Sequence, residues 1–166
     1  MKHIGGINIS EGFVSSVNVN PEGGVPKNSV NSAKLFVDGV EGDLQKDTKH
    51  HGGPERAVCL FSSELMNELN REGHKFHPGS VGENLTISGI DWSLMDTGIR
   101  LSVGDSVIEI TNPASPCSTI QHVFSDHSFS RISQKKNPGW SRWYARVIKE
   151  AEVFKGDFVS IFYSED

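Results

Sequence analysis

The stretch IRLSVGDSVIEIT (residues 99–111) decides the fold class of this chain. Apolar and polar side chains alternate from Ile99 to Val103, which is the pattern of a strand with one buried face. The pair Gly104–Asp105 is a strong turn signal, and the residues after it return as a second strand. The stretch therefore predicts a β-hairpin.

Short apolar runs between glycine-rich turns extend this pattern in both directions. Further strands are predicted at residues 4–9, 33–37, 56–61, 143–148 and 158–163. The run RAVCLF at 56–61 is apolar enough to be buried on both faces, which makes Cys59 a core residue. With no repeat or linker, residues 1–166 are predicted to form one mainly β, barrel-like domain with a few short helices.

Two helices interrupt the predicted strands. Ser62 or Ser63 caps the first, an apolar face follows, and Gly73 ends it. The second begins in TNPASPCSTIQ (111–121), with Ser115 as N-cap and Pro116 at the first helical position. This places Cys117 in the first turn, where free N–H groups and the helix dipole favour the thiolate that attacks or binds metal. The alternative is a small buried apolar residue, as free cysteines often are.

Composition excludes several classes of function. The net charge is −5, and no basic run is longer than Lys135–Lys136, so nucleic-acid binding through a basic face is not expected. Two cysteines are too few for a disulfide framework, and a free thiol fits a reducing cytoplasm. No signal peptide and no membrane span are apparent, so a cytoplasmic protein is expected.

Three more clusters are candidates for chemistry. HHGGPE (50–55) pairs two histidines with two glycines, although a solvated surface turn is the favoured alternative. In GENLT (82–86) Glu83 and Asn84 sit where a glycine loop becomes a strand, a position that turn chemistry alone also explains. In GWSRWYARV (139–147) an arginine would bind an anion, unless the tryptophans are core and rim residues and the arginines are solvated. Zinc and nucleotide-binding spacings are absent.

Taken in order, these clusters resemble the MOSC domain family, which is named after the C-terminal part of molybdenum-cofactor sulfurase. The resemblance extends over residues 5–163 and is greatest to the short stand-alone bacterial members. It is carried by DGVEGD (38–43), HHGGPERAV (50–58), GSVGENLT (79–86), the P-C of TNPASPC (111–117), GWSRWYARV (139–147) and KGD (155–157).

The resemblance implies a β-barrel-like fold and a function. Relatives reduce N-hydroxylated compounds, such as hydroxylaminopurines and amidoximes, with a molybdopterin cofactor, and the cysteine matching Cys117 binds molybdenum or carries sulfur. Sulfurase relatives hand sulfur to the cofactor, but their pyridoxal-phosphate domain is a separate unit that this short chain does not contain. The leading hypothesis is an oxidoreductase in which Cys117 ligates molybdenum. The alternatives are a sulfur carrier with a persulfide on Cys117 and a non-catalytic binding domain.

The hypothesis assigns the remaining site residues. His51 and Glu83 are predicted to be catalytic residues together with Cys117. The expected partners are a small-molecule substrate and a redox partner protein. The protein is expected to be a monomer or a homodimer. Many relatives carry a basic residue where this chain has Ala114 and Ser115, and a C-terminal helical extension of some relatives is absent. The predicted cofactor contacts are His50, Gly52, Gly53, Arg56, Gly82, Asn84, Thr86, Arg142 and Arg146.

Overall fold

The computed structural model describes residues 6–44 and 53–164. Its strands are β1 (Gly6–Val19), β2 (Asn28–Val30), β3 (Ser32–Phe36), β4 (Gly39–Val40), β5 (Val58–Ser62), β6 (Leu85–Ser88), β7 (Arg100–Val103), β8 (Ser106–Ala114), β9 (Arg142–Lys149), β10 (Ala151–Phe154) and β11 (Phe158–Ser164). Helix α1 spans Ser63–Arg71, and 3-10 helices span Pro54–Arg56, Trp92–Leu94, Ser118–Val123 and Phe129–Ile132.

Seven of these strands form a closed barrel. Their order is β11-β7-β8-β9-β5-β6-β1, and β1 pairs with β11 to close the ring. Neighbouring strands are antiparallel except β5 and β6, which are parallel. Strand β2 extends β1 outside the ring, and β10, β3 and β4 form a separate three-stranded sheet. The predicted mainly β, barrel-like fold is confirmed.

Strand alternation separates the barrel interior from a second apolar cluster outside it. On β9, Trp143, Ala145 and Val147 belong to the main core, while the residues between them point to the outer face. On that outer side, Phe61 of β5 packs with buried side chains of α1 and of the two later 3-10 helices. This cluster holds the chain after β8 against the barrel wall. No helix among the described residues is long and apolar enough to cross a lipid bilayer.

Most of the predicted elements are confirmed. The hairpin forms as β7 and β8, with residues 100–103 paired to 106–109. Helix α1 begins after Ser62, whose hydroxyl accepts a hydrogen bond from Leu65 N at 3.2 Å. Strand β5 is buried throughout, as predicted for an apolar run covered on both faces. The strand predicted at residues 4–9 is a much longer β1, and β2, β4 and β10 were not predicted.

The helix predicted to begin at Ser115 is wrong in type and register. Cys117 is the N-cap of the 3-10 helix Ser118–Val123, and its own backbone is extended, with φ −142° and ψ 177°. Pro116 disfavours a helical conformation at the residue before it, so Ser115 stays outside the helix. Cys117 therefore lies just before the first turn and not within it.

Candidate functional site

The candidate site lies on the outer face of β9 and its neighbours. Strand pairing sets Tyr144 opposite Cys59 of β5 and Arg142 opposite Ala114 of β8. Cys59, Ala114 and Tyr144 pack together as a small buried cluster. Because β8 ends at Ala114, Cys117 follows three residues later, beside this cluster.

Cys117 is half-buried, and its Sγ lies 2.9 Å from the hydroxyl of Thr119. The backbone leading to it is fixed by a distant residue, because Arg142 Nη2 donates a hydrogen bond to the Ser115 carbonyl at 3.4 Å. The thiol is thus placed by strand β8 on one side and by the 3-10 helix on the other.

Arg142 is a buried cation that connects two loops. Only 7% of it is exposed, and its Nη1 donates to the Val81 carbonyl at 2.7 Å. Its Nε is buried without a hydrogen-bond partner, and it makes no ion pair with another residue in the described ranges. Burial raises the pKa of both Cys59 and Glu83, and the nearby charge of Arg142 opposes that rise. An unpaired buried guanidinium favours a nearby anion.

Glu83 is a completely buried carboxyl on the same side of the barrel. Its Oε2 accepts a hydrogen bond from the Thr86 hydroxyl at 2.9 Å, while Oε1 is buried without a hydrogen-bond partner among the described residues. Burial raises its pKa to about 7, against the opposing effect of the Gly79 backbone N–H and Thr86. A carboxyl with this pKa gains and loses a proton near neutral pH.

Asn84 ties the glycine loop to a buried ion pair. Its Oδ1 accepts from Cys59 N at 3.0 Å, and its Nδ2 donates to Asp43 Oδ2 at 2.9 Å. Asp43 in turn holds Lys27 Nζ at 2.7 Å, and both of these side chains are almost entirely buried. Asn18 completes the network by donating to Thr86 Oγ1 at 3.1 Å. The polar atoms of Asn84 and Thr86 are therefore engaged within the protein.

Tyr144 and Arg56 form the side of the site next to Cys117. The Arg56 guanidinium lies 5.4 Å from the centre of the Tyr144 ring, a cation–π contact. Burial raises the pKa of Tyr144 to about 12, and the neighbouring thiols Cys59 and Cys117 add to that rise. The phenol therefore keeps its proton at neutral pH. The Thr111 hydroxyl, which donates to the Glu55 carbonyl at 2.5 Å, fixes the turn that carries Arg56.

Arg146 and the predicted glycines have other surroundings. Arg146 is half-exposed and pairs with Glu109 at 2.9 Å and Glu55 at 3.5 Å, so its charge is already neutralised. Gly82 has φ +81° and uses its N–H in a turn with Gly79 O. Gly53 also has positive φ, and a side chain there would meet no atom within 4 Å.

The structure thus brings Cys117, Glu83, Arg142 and Arg56 to one side of the barrel, with Asn84 and Thr86 in the supporting network. The predicted residues His50, His51 and Gly52 lie outside the described residues. Sequence reasoning missed Tyr144 and Thr119 as site residues, and also Lys27 and Asp43 as supports. Tyr144 could have been predicted from the sequence, because residues 142 and 144 of one strand lie on the same face.

Comparison with known proteins assigns the family. The profile of the MOSC domain matches residues 47–160, well over half of the chain. The chain belongs to the MOSC domain family. The MOSC region contains every predicted site residue, including Thr86 on β6 and Arg142 and Arg146 on β9.

Three curated relatives share 28% identity with this MOSC chain. They are protein YiiM of Escherichia coli (85% of this chain, 66% of that protein), the uncharacterized protein YflK of Bacillus subtilis (81% and 61%) and a Gibberella moniliformis protein named reductase (74% and 22%). The chain thus spans less than two thirds of the length of each. The crystal structure of YiiM from Geobacillus stearothermophilus matches at a TM-score of 0.67 and 22% identity, over 90% of this chain and 74% of that one, which shows a shared fold.

Proposed function

We propose that this MOSC protein binds a molybdenum cofactor through Cys117 and reduces N-hydroxylated compounds. The observation that carries the proposal is a half-buried thiol whose backbone is held by a buried arginine that makes no ion pair with a described residue. The name of the fungal relative, reductase, is consistent with redox chemistry in the family.

The residues present fit a metal that arrives with other ligands. No group of three metal-binding side chains exists in the described part of the chain, so a free metal ion would lack a complete site there. A single soft thiolate suits a thiophilic metal whose remaining ligands come from the cofactor. Arg142, which makes no ion pair with a described residue, suits an anionic group such as a pterin phosphate.

Each residue then has a distinct task. Cys117 holds the metal, and Arg142 holds the backbone of Cys117 through the Ser115 carbonyl. Tyr144 is a protonated hydrogen-bond donor beside the thiol, and Arg56 lies against its ring. When bound, the cofactor supplies the two electrons that convert N–OH to N–H with release of water.

The proposed reduction also consumes two protons. Glu83 is the described residue best suited to store one, because its pKa of about 7 allows it to exchange a proton at neutral pH. In this proposal the active protein carries the pterin cofactor, and a separate redox partner protein supplies the electrons.

Molybdenum content tests the proposal directly. Wild-type protein, Cys117→Ala and Cys59→Ala would be purified anaerobically from cells that make the cofactor and analysed by plasma mass spectrometry. We expect near-stoichiometric molybdenum in wild type and in Cys59→Ala, because Cys59 is a buried core residue, and none in Cys117→Ala. An amidoxime or a hydroxylaminopurine is then the substrate to assay.

Absence of molybdenum from all three proteins, in cells where a known molybdoenzyme is fully loaded, would overturn the proposal. A mass increase of one sulfur atom on Cys117 in that experiment would instead indicate the sulfur-carrier function. Both results are read from the same preparations, so the two functions are separated in one experiment.

A further inference from the structure

The hydroxyl of Thr119 lies within hydrogen-bond distance of the sulfur of Cys117. The two atoms are 2.9 Å apart, and Thr119 makes no other side-chain hydrogen bond to a described residue. The contact is local, since Cys117 is the N-cap of the 3-10 helix and Thr119 is its second residue. The Ile120 N–H, which donates to the Cys117 carbonyl at 3.2 Å, fixes the backbone between them.

The direction of this hydrogen bond follows from the chemistry of the sulfur. A free thiol donates or accepts, but a sulfur that binds a metal has lost its proton and only accepts. The Thr119 hydroxyl must then be the donor. Hydrogen bonds to metal-bound sulfur orient the ligand and change its electron donation to the metal.

We propose that Thr119 is a positioning residue for Cys117, whose hydroxyl holds the sulfur in one orientation and donates a hydrogen bond to it when the sulfur carries a ligand. The orientation rests on the observed contact alone. The donation to a liganded sulfur rests on the proposed function.

Neighbouring residues allow a matched set of variants. Thr119→Val keeps the β-branched shape and removes the hydroxyl, while Thr119→Ser keeps the hydroxyl. Ser118→Ala removes an adjacent, exposed hydroxyl for which no hydrogen bond to the sulfur is seen. Thr119 is exposed, so all three variants are expected to fold like wild type.

The first measurement uses the protein without cofactor. Scalar couplings between Hα and the two Hβ of Cys117, measured by NMR, report whether its side chain holds one rotamer. Wild type, Thr119→Ser and Ser118→Ala should each show the pair of limiting couplings that one staggered rotamer gives, whereas Thr119→Val should show averaged, intermediate values. A single unchanged rotamer in Thr119→Val overturns the inference, whatever the function of the protein.

The second measurement concerns the liganded sulfur. Molybdenum remaining on protein loaded in cells would be followed through repeated gel filtration. We expect Thr119→Val to lose metal about tenfold faster than wild type, and Thr119→Ser to stay within about twofold. Equal retention in Thr119→Val would refute the donated hydrogen bond. If wild-type protein itself carries no molybdenum, the proposed function fails, while the rotamer measurement still decides the orientation.

Discussion

Glu83 shows how one buried carboxyl links stability to pH. Its side chain is fully buried, one oxygen has no hydrogen-bond partner in the part of the chain that the structure describes, and burial raises its pKa from the usual 4.5 to about 7. Between these two values the folded protein binds a proton that the unfolded chain has released. This contribution to stability is therefore complete below about pH 4.5 and is lost as the pH rises through about 7.

Glu83→Gln should remove that dependence. Glutamine keeps an oxygen that accepts from Thr86 and has no proton to lose. Between about pH 5 and pH 8, the free energy of unfolding of wild type should fall by roughly 1–3 kcal/mol more than that of Glu83→Gln. Urea denaturation across this range measures both proteins. If the free energies of unfolding of the two proteins changed in parallel across this pH range, Glu83 would already be ionised in the folded protein.

Among structural elements, β9 contributes most to the site, because its outward residues meet two loops and the 3-10 helix Pro54–Arg56. Arg142 reaches the carbonyls of Val81 and Ser115, which belong to separate loops. Lysine at this position keeps the charge but loses the planar fork that serves two acceptors. We expect Arg142→Lys to lower the free energy of unfolding by about 2–3 kcal/mol, since at least one buried carbonyl is left unpaired.

Arg146→Lys is the matched control for that prediction. It lies on the same strand and face, but it is 43% exposed and makes surface ion pairs. Its cost should be below about 1 kcal/mol. Urea denaturation at neutral pH compares the two variants. An equal loss of stability in both would mean that the hydrogen bonds of Arg142 to the Val81 and Ser115 carbonyls do not stabilise the fold as proposed.

The elements also show what the sequence could and could not predict. The hairpin and α1 were predictable because their turn, cap and apolar periodicity are local signals. The register of the 3-10 helix that follows Cys117 was not, because the segment before it is also held by a hydrogen bond from Arg142 to the Ser115 carbonyl, 27 residues away. The positions of Glu83 and Asn84 could be marked as unusual, but their burial beside a Lys27–Asp43 ion pair depends on distant contacts.

At the scale of the whole molecule, β1 closes the barrel by pairing with β11 and β6. Its register shifts between Asn8 and Ser10 and again between Val14 and Ser16. Such bulges interrupt the alternation of buried and exposed residues, so Val14 and Val17 are both buried although they are three residues apart. This is why the sequence indicated only the first part of this strand.

At Gly12 the backbone of β1 lies very close to the backbone of β6. We expect the substitution Gly12→Ala to force these two strands apart. A Cβ at this position would lie 1.9 Å from the Ser88 carbonyl oxygen, and both of the next nearest atoms are also backbone. Backbone cannot rotate away as a side chain can, so β1 and β6 would have to separate. We expect a loss of about 2–4 kcal/mol in the free energy of unfolding, measured by urea denaturation.

The control is Phe13→Ala, at an exposed neighbouring residue that faces Phe158. It should lower the free energy of unfolding by less than about 1 kcal/mol. A Gly12→Ala protein as stable as Phe13→Ala would mean that the β1–β6 seam adapts without strain.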